Sequence, residues 1–385
     1  MRIAGLFMAF LAWAATAAAG GLSPAQIEQI SAIAREARET GHLPALSVSV
    51  VRDGKLWSGA FGSADLEQDV PASTQTLFRT ASIGKWFTAT AAMRLVENAE
   101  LDLDAPVQKY CPQYPAKPWP VTSRQLLSHL AGVRHYYGDN GEPRDTEAQR
   151  AELDARIARE RAGQFVRYTD MLGPLEIFKD DPLLFEPGTK SHYSSLGYRL
   201  MGCVLEGAAK MPYRQLMRDL VFAPAGMQSI IDDDARKLIP HRAAGYSRGP
   251  DGTTLRAEYR DVSENLPAGG WLATSEDLAK FAVAFAQGKI VKPATRDQMV
   301  KRPTLKDGSP APNPMGIPEY YYGTGVMVGP LTGKPAWFHT GGQSGATALL
   351  YWYPESQVAV ALMTNRDGRA ITEGLARKIA DVAGE

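Results

Sequence analysis

The sequence predicts an α+β fold in which both ends of the chain contribute to one antiparallel sheet. Alternating apolar and polar residues, separated by turn residues, indicate strands over 46–57 and again over 320–364. A helical pattern dominates the residues between these two segments. We therefore expect a sheet region over about 20–80 and 270–385 and an inserted helical region over about 81–269.

The composition bounds what the protein can bind. The 385 residues are 44% hydrophobic, which suffices for a large core, and Lys+Arg 42 equals Asp+Glu 42. A balanced charge gives no reason to expect nucleic acid or an anionic membrane as a partner. The expected partner is a small-molecule or peptide substrate bound at a local site, and a homo-oligomer stays open.

The first 19 residues have the pattern of a secretory signal peptide. Arg2 supplies the positive charge, residues 6–15 are apolar, and Ala17-Ala18-Ala19 fits an A-x-A cleavage site. The apolar run is short for a membrane span. We expect an exported protein, periplasmic or secreted, with no membrane span after cleavage. An uncleaved anchor is the alternative.

The two cysteines, Cys111 and Cys203, leave the redox question open. They could form a disulfide in an oxidising compartment, yet the sequence does not place them near each other. Two buried free thiols are an equally good interpretation.

A helix and a β-hairpin are expected at the start of the mature chain. Ser23, Pro24 and Gln26 form the N-terminal capping pattern of the helix, and Gly41 marks its end. Alternating apolar residues over 46–50 then predict a strand, which an Asp-Gly turn connects to its partner strand.

The stretch Thr80–Phe87 carries the candidate catalytic pair. Apolar residues from Ile83 onward follow the helical period, so Ser82 lies at or near the first turn of a helix. Residues at i and i+3 share a helix face, which brings the Lys85 ammonium within reach of the Ser82 hydroxyl. A capping serine followed by a surface lysine is the bland alternative.

The middle of the chain offers two features with competing interpretations. A charged stretch over about 139–161 is expected to be a solvated helix or loop, and a lid or partner surface is the alternative. Asp232-Asp233-Asp234 suggests a metal site, but no second ligand group lies at a recognisable spacing. We therefore expect no metal and no cofactor.

Strands return in the last quarter of the chain. Thr274 caps a helix that ends at Gly288, and a final helix is expected over Ile371–Val382. Between the two helices, alternation predicts four strands: Tyr320–Val328, Ala336–Thr340, Ala348–Tyr353 and Val358–Thr364.

These residues can be assembled into a nucleophilic site. A serine hydroxyl needs a base, and Lys85 can serve if burial makes it neutral. Tyr193, between a turn and a helical run, is placed to relay protons. An oxyanion needs two backbone N–H groups, for which we expect Ser82 and a strand edge where Gly341 and Gly342 allow close approach. Taken alone, Tyr193 also fits a half-buried core aromatic.

Three motifs resemble the serine β-lactamase and penicillin-binding protein superfamily, in its class C-like branch. Ser82-Ile83-Gly84-Lys85 is similar to its Ser-x-x-Lys, Tyr193-Ser194-Ser195 to its Tyr-x-Asn, and His339-Thr340-Gly341 to its Lys-Thr-Gly. The resemblance implies the β-lactamase/transpeptidase-like fold, an antiparallel five-stranded sheet flanked by helices plus an all-helical region. It also implies catalysis by Ser82, Lys85 and Tyr193 and an oxyanion hole formed by the N–H groups of Ser82 and Gly342. Ser195, His339, Thr340 and Gly341 are implied in substrate binding.

The sequence departs from this pattern at two positions. Ser195 stands where the family has asparagine and His339 where it has lysine. An unperturbed histidine titrates near pH ~6.5, so attraction for a substrate carboxylate should fade as pH rises. The alternative is that His339 only fills its strand and hydrogen-bonds a neighbour.

The expected function is an exported serine hydrolase that cleaves an amide or ester through an acyl-enzyme on Ser82. The two departures favour a peptidase or esterase over an efficient β-lactamase. The alternatives are a β-lactamase or D-alanyl-D-alanine carboxypeptidase acting on cell-wall material, and a filament-forming scaffold that keeps the same fold.

Overall fold

The computed structural model describes residues 21–331 and 333–384. The predicted signal peptide at 1–19 lies outside the described residues. The α-helices are α1 (Pro24–Thr40), α2 (Gly84–Glu97), α3 (Ser123–Leu127), α4 (Glu147–Gly163), α5 (Ser195–Ala209), α6 (Tyr213–Met217), α7 (Ala223–Ala225), α8 (Ser275–Ala286), α9 (Pro293–Met299) and α10 (Glu373–Gly384).

The strands form one large sheet and two small ones. The strands are β1 (Ala45–Arg52), β2 (Lys55–Asp65), β3 (Val70–Pro71), β4 (Phe78–Arg79), β5 (Ile231–Asp232), β6 (Tyr246–Arg248), β7 (Thr254–Arg256), β8 (Trp271–Ala273), β9 (Tyr321–Tyr322), β10 (Met327–Leu331), β11 (Lys334–Gln343), β12 (Ala346–Tyr353) and β13 (Val358–Thr364). The large sheet has the order β3-β2-β1-β13-β12-β11-β10-β9, and its neighbouring strands are antiparallel.

Both ends of the chain build this sheet, as the sequence predicts. β1 from the N-terminal segment pairs with β13 from the C-terminal segment, in a register that sets Val50 opposite Val360. Successive residues of a strand point to opposite faces of the sheet, so the side chains of each strand contribute to two hydrophobic layers, one on each face. The helices α1 and α10 cover one face, and α8 covers the other.

The helix and strand boundaries agree closely with the expected ones. Ser23 caps α1 with a complete capping box, and Gly41 is its C-cap. Thr274 caps α8 by accepting from the Asp277 amide. Local capping chemistry decides these ends, so a single sequence is enough to find them.

Two expectations need correction. The large sheet has eight strands rather than five, because short strands extend both of its edges. The predicted strand Tyr320–Val328 is two antiparallel strands, β9 and β10, separated by a turn in which Gly325 has a φ of +76°. That left-handed conformation is open mainly to glycine, so the chain reverses there. The inserted region also contains the short strands β5, β6 and β7 besides its helices.

The nucleophile helix α2 is buried along most of its length. Trp86 and Phe87 are fully buried, and Trp86 packs edge-on against Phe281 and Phe285 of α8 at ring-centroid distances of 5.3 and 5.1 Å. Edge-to-face aromatic packing fixes ring orientation as well as burying area. The first turn of α2 therefore has a rigid support.

Cys111 and Cys203 form a disulfide, with their Cα atoms 5.6 Å apart. The bond ties the segment after α2 to α5, the helix that follows Tyr193. The open question from the sequence is thereby settled in favour of pairing rather than two free thiols.

The charged stretch at 139–161 contains α4, whose surface is mostly exposed. Leu153 and Glu160 are the exceptions, and the buried Glu160 carboxylate pairs with Arg134 at 3.3 Å. The backbone oxygen of Arg134 accepts from the Ser194 hydroxyl at 2.7 Å. This solvated helix is thus anchored close to Tyr193.

All three carboxylates of the acidic triplet Asp232-Asp233-Asp234 form ion pairs. The carboxylates pair with five basic side chains, namely Arg214 and Lys237 with Asp232, Arg79 and Arg242 with Asp233, and Arg167 with Asp234. Within the described ranges no cluster of three or more His, Cys, Asp and Glu residues could hold a metal ion. None of the helices described here is both long and apolar enough to cross a membrane.

The disulfide generates a stability prediction. Cross-linking residues 92 positions apart restricts the unfolded chain, so reduction should lower the free energy of unfolding by about 2–5 kcal/mol. Denaturant unfolding with and without a reductant measures this difference. The double variant Cys111→Ala/Cys203→Ala is the control and should be insensitive to reductant. Two thiols that react in the unreduced, denatured protein would contradict the pairing.

Candidate active site

Ser82 lies in a strained turn at the start of the nucleophile helix. A short 3₁₀ turn, Ala81–Ile83, runs directly into α2. Ala81 has a φ of +45°, a conformation that costs a non-glycine residue energy and persists only where the surroundings enforce it. Ser82 lines the main cavity, so the turn presents its hydroxyl to solvent-accessible space.

Lys85 reaches Ser82 from inside the protein. Its side chain is fully buried, and Nζ contacts Ser82 Oγ at 3.0 Å and the Ala268 carbonyl oxygen at 3.2 Å. Burial disfavours the ammonium form, and the Arg199 guanidinium adds repulsion, so the pKa of Lys85 lies well below its ordinary value of 10.5. The predicted Ser–Lys pair is present, and its amine is biased toward the neutral form.

A close approach of two backbones makes this contact available. A Cβ built on Gly84 would lie 2.7 Å from the Cα of Gly269, and one on Gly269 would lie 2.1 Å from the Ala81 oxygen. Both distances exclude any side chain larger than hydrogen. The loop carrying Ala268 can therefore rest on the nucleophile turn and aim its carbonyl at Lys85.

Tyr193 completes the cluster around the nucleophile. It lines the same cavity as Ser82, and the Lys85 Nζ lies 4.9 Å from the centroid of its ring. Burial raises the pKa of Tyr193 above its ordinary value of 10.0. The phenol therefore stays protonated at neutral pH, which suits a group that passes protons rather than one that stores a negative charge.

Ser195 lies beside Tyr193 at the start of α5 and lines the cavity. Its backbone amide donates to His135 Nδ1 at 3.2 Å. The serine side chain is short, whereas an asparagine amide would reach further into the cavity. A contact of Ser195 with substrate stays a prediction.

β11 forms the edge of the site next to Ser82. Thr340, Gly341 and Gly342 all line the cavity. A Cβ on Gly341 would lie 2.5 Å from the Thr80 oxygen and 3.0 Å from the Ser82 amide nitrogen, whereas one on Gly342 would meet nothing within 4 Å. Gly341 therefore seats the strand against the nucleophile turn, and Gly342 faces open space. An oxyanion site between the Ser82 and Gly342 amides stays a prediction.

His339 does not have the environment that the sequence suggested. It is fully buried, its Nε2 accepts from Tyr322 Oη at 3.0 Å, and its Nδ1 donates to the Thr340 oxygen at 2.7 Å. Burial, followed by repulsion from Lys85, lowers the pKa of His339 to about 3. The expectation of a charge that titrates near pH ~6.5 and attracts a carboxylate is corrected: the ring is neutral and hydrogen-bonds its neighbours.

Two further histidines pack against the catalytic cluster. The His129 ring lies 4.4 Å from that of Tyr193, its Nδ1 accepts from the Ser194 amide at 3.1 Å, and burial holds its pKa well below the ordinary value. Burial likewise lowers the pKa of His135 to about 3. Both rings are neutral, and each accepts from a backbone amide, His129 from Ser194 and His135 from Ser195. The His192 Nε2 lies 3.0 Å from Asn140 Oδ1.

The sequence alone did not single out three groups that shape this site. They are the Ala268 carbonyl, the Arg199 guanidinium near Lys85, and Glu264, which holds Arg199 in a buried ion pair at 3.0 Å. No local motif marks them. The one available signal was the glycine pair after Ala268, which is typical of a close backbone approach.

A comparison with protein families identifies the chain over nearly its full length. The family model described as Beta-lactamase matches residues 30–384. The mitochondrial serine beta-lactamase-like protein LACTB of Homo sapiens is 31% identical over 294 residues, which are 64% of this chain and 54% of that protein. The chain thus spans little more than half the length of this relative.

Solved structures share the fold at low sequence identity. The octameric penicillin-binding protein homologue from Pyrococcus abyssi superposes with a TM-score of 0.74 at 21% identity, covering 92% of this chain and 77% of that one. The D-stereospecific amidohydrolase from Streptomyces sp. gives a TM-score of 0.72 at 21% identity, covering 91% of this chain and 98% of that one. The penicillin-binding-protein-like fold expected from the sequence is confirmed.

The buried neutral His339 predicts acid sensitivity. Its pKa is lowered in the folded state, so below pH ~6.5 the unfolded chain binds a proton that the folded chain does not, and stability falls as pH falls. Between about pH 6 and pH 4 this one group should lower the free energy of unfolding by about 1.4 kcal/mol for each unit by which the pH falls.

The variant His339→Gln removes the titrating group and should reduce the pH dependence of the free energy of unfolding by that amount. Denaturant unfolding of both proteins across this range measures it. Identical slopes in the wild type and the variant would mean that His339 is not buried in its neutral form.

Proposed function

Since the chain belongs to the beta-lactamase family of serine hydrolases, we propose that it cleaves an ester or amide bond through an acyl-enzyme on Ser82. The observation that carries the proposal is the 3.0 Å contact between Ser82 and a fully buried Lys85. An amine whose pKa is lowered can accept the serine proton near neutral pH, which a surface lysine cannot do.

Acylation follows from this arrangement. Neutral Lys85 takes the proton of Ser82 as Oγ attacks the substrate carbonyl carbon, and a new C–O bond forms while the carbonyl oxygen gains the negative charge. The amides of Ser82 and Gly342 stabilise that oxyanion. When the tetrahedral intermediate collapses, the bond to the leaving group breaks, and Tyr193 donates its proton to the departing oxygen or nitrogen. Lys85 then restores the proton to Tyr193.

Deacylation repeats the same steps with water. A water molecule attacks the acyl carbon, and its proton passes to the neutral amine of Lys85 or through Tyr193. The bond between the acyl carbon and Ser82 Oγ breaks, and Oγ recovers a proton. The free acid leaves, and the enzyme is regenerated without any cofactor.

Substrate preference is proposed to favour esters and simple amides over carboxylate-bearing β-lactams. His339 is neutral and buried, so the position that carries a lysine in the family offers no charge. The side chain of Ser195 is shorter than that of asparagine and carries no amide group. Both features weaken the recognition of a substrate carboxylate and of an acyl-side amide.

Export is proposed from two independent features. The first 19 residues fit a cleavable secretory signal. The Cys111–Cys203 disulfide fits an oxidising compartment such as the periplasm or the extracellular medium.

The nucleophile can be tested with an activated-serine reagent. A fluorophosphonate should label Ser82, because an activated serine attacks phosphorus as it attacks a carbonyl carbon. Peptide mass spectrometry locates the label. Ser82→Ala should abolish labelling, and the matched surface variant Ser309→Ala should retain it. A label on another serine, or equal labelling of Ser82→Ala, would refute the assignment.

The base can be tested by substitution and by pH. Lys85→Ala keeps the nucleophile but should lose about two to four orders of magnitude in acylation rate. In the wild type, kcat/KM should rise with pH as Lys85 loses its proton, with a midpoint well below 10.5 because burial disfavours the ammonium.

Ester turnover over a range of pH measures both effects, and Lys85→Arg is the control, since it keeps a long cationic side chain that cannot become neutral. Near-normal rates in Lys85→Ala would leave Lys85 with a structural role only.

A further inference from the structure

The catalytic cavity has two parts with different chemistry. It measures about 460 Å³, within the range of about 300–1,000 Å³ typical of small-molecule sites. One part is lined by polar side chains from the inserted region: His135, Tyr136, Gln164, Arg260, Glu264 and Asn265. The other part, which we term the apolar arm, is lined by Met315, Ile317, Tyr320, Met327, Leu349 and Ile371.

The apolar arm is an extension of the hydrophobic core. All six side chains belong to, or pack against, the cluster between the large sheet and the helices α1 and α10, and Tyr193 packs against the same cluster. Met327, Leu349 and Ile371 are buried, while Met315 and Ile317 remain half-buried. The buried members fix the shape of the arm, and the half-buried ones remain accessible to a ligand.

Polar and charged side chains from the segment that leads into α10 line the cavity as well. Arg369, Thr372 and Glu373 also line the cavity, and Arg369 is exposed. Burial raises the pKa of the Glu373 carboxyl, and Arg369 opposes that shift. The cavity therefore offers a ligand both an apolar lining and charged groups.

We propose that the apolar arm binds an extended alkyl or aryl group of the substrate, so that the enzyme acts on esters or amides carrying such a group. The chemistry rests on the function proposed above, whereas the binding of the apolar group does not. The group belongs either to the acyl side or to the leaving group of the substrate, because Ser82 and Tyr193 line the same cavity as the arm and Tyr193 packs against the same apolar cluster.

Binding can be measured without catalysis. Ser82→Ala keeps the arm and cannot be acylated. Its affinity for N-alkylacetamides with two to eight alkyl carbons (a series of roughly the length that a drug-sized cavity holds) should increase about fourfold per added methylene until the arm is full. Calorimetric titration measures the Kd and should give a negative heat-capacity change. A Kd that does not change with chain length overturns the proposal, whatever the fate of the catalytic assignment.

Variants locate the binding in the arm. Met315→Trp fills the accessible end and should weaken binding of the longest amide by about tenfold or more. Met315→Leu is the control for side-chain volume and should retain the chain-length dependence. Leu238→Trp adds the same indole at a fully exposed position and should have no effect. Chain-length dependence that survives Met315→Trp unchanged contradicts the assignment of the arm.

Turnover then distinguishes the two ends of the substrate. One series varies the acyl chain of p-nitrophenyl esters, and the other varies the alcohol of acetate esters. A rise in kcat/KM with length in the first series places the acyl chain in the arm, and a rise in the second places the leaving group there. If esters are turned over and both series are flat, the arm does not serve the reaction and the proposal fails. Absence of fluorophosphonate labelling at Ser82 would instead refute the proposed function alone.

Discussion

The site depends on one unfavourable interaction, the complete burial of the Lys85 amine. An isolated ammonium in the protein interior is costly, so the amine is driven toward its neutral form. Among the residues that the structure describes, Nζ has two hydrogen-bond partners, Ser82 Oγ and the Ala268 carbonyl, and no carboxylate forms an ion pair with it. A carboxylate beside Lys85 would stabilise the ammonium and remove the base.

The charge states of the groups around Lys85 are also set by burial. The histidines His129, His135 and His339 are all neutral because each is buried, and Arg199 is the nearby fixed positive charge. The charge of Arg199 is balanced by the Glu264 carboxylate in a buried ion pair, which offsets part of the desolvation free energy of the guanidinium. The aromatic support of α2 and the glycine contacts at the nucleophile turn keep this arrangement rigid.

Much of the fold could be predicted because local chemistry encodes it. The capping box at Ser23, the Thr274 cap and the alternating strands at the two ends of the chain all depend on neighbouring residues. The extra edge strands were missed, since strands of two residues such as β3 and β9 are too short to show a period. The turn between β9 and β10 was missed because the residues on both sides of Gly323-Thr324-Gly325 are typical of strands, so the whole segment was interpreted as one strand.

The candidate site was only partly predictable for a related reason. The spacing of Ser82 and Lys85 and the family resemblance grouped these two residues with Tyr193. In the structure Lys85 contacts Ser82 and lies against the Tyr193 ring. The state of His339 could not be read from its neighbours in sequence, because its burial and its bond to Tyr322 come from strand packing. Arg199 and Glu264 lie 65 positions apart, so no local pattern connects them.

The charge state of Lys85 in the resting protein is the most direct test of this account. ¹⁵N NMR of lysine-labelled protein, with Lys85→Arg to assign the signal, reports whether Nζ is an amine or an ammonium. The account predicts a neutral amine signal at Lys85 near neutral pH, whereas an unperturbed lysine side chain stays charged until about pH 10. An ammonium signal at Lys85 that persists to that same pH would contradict it.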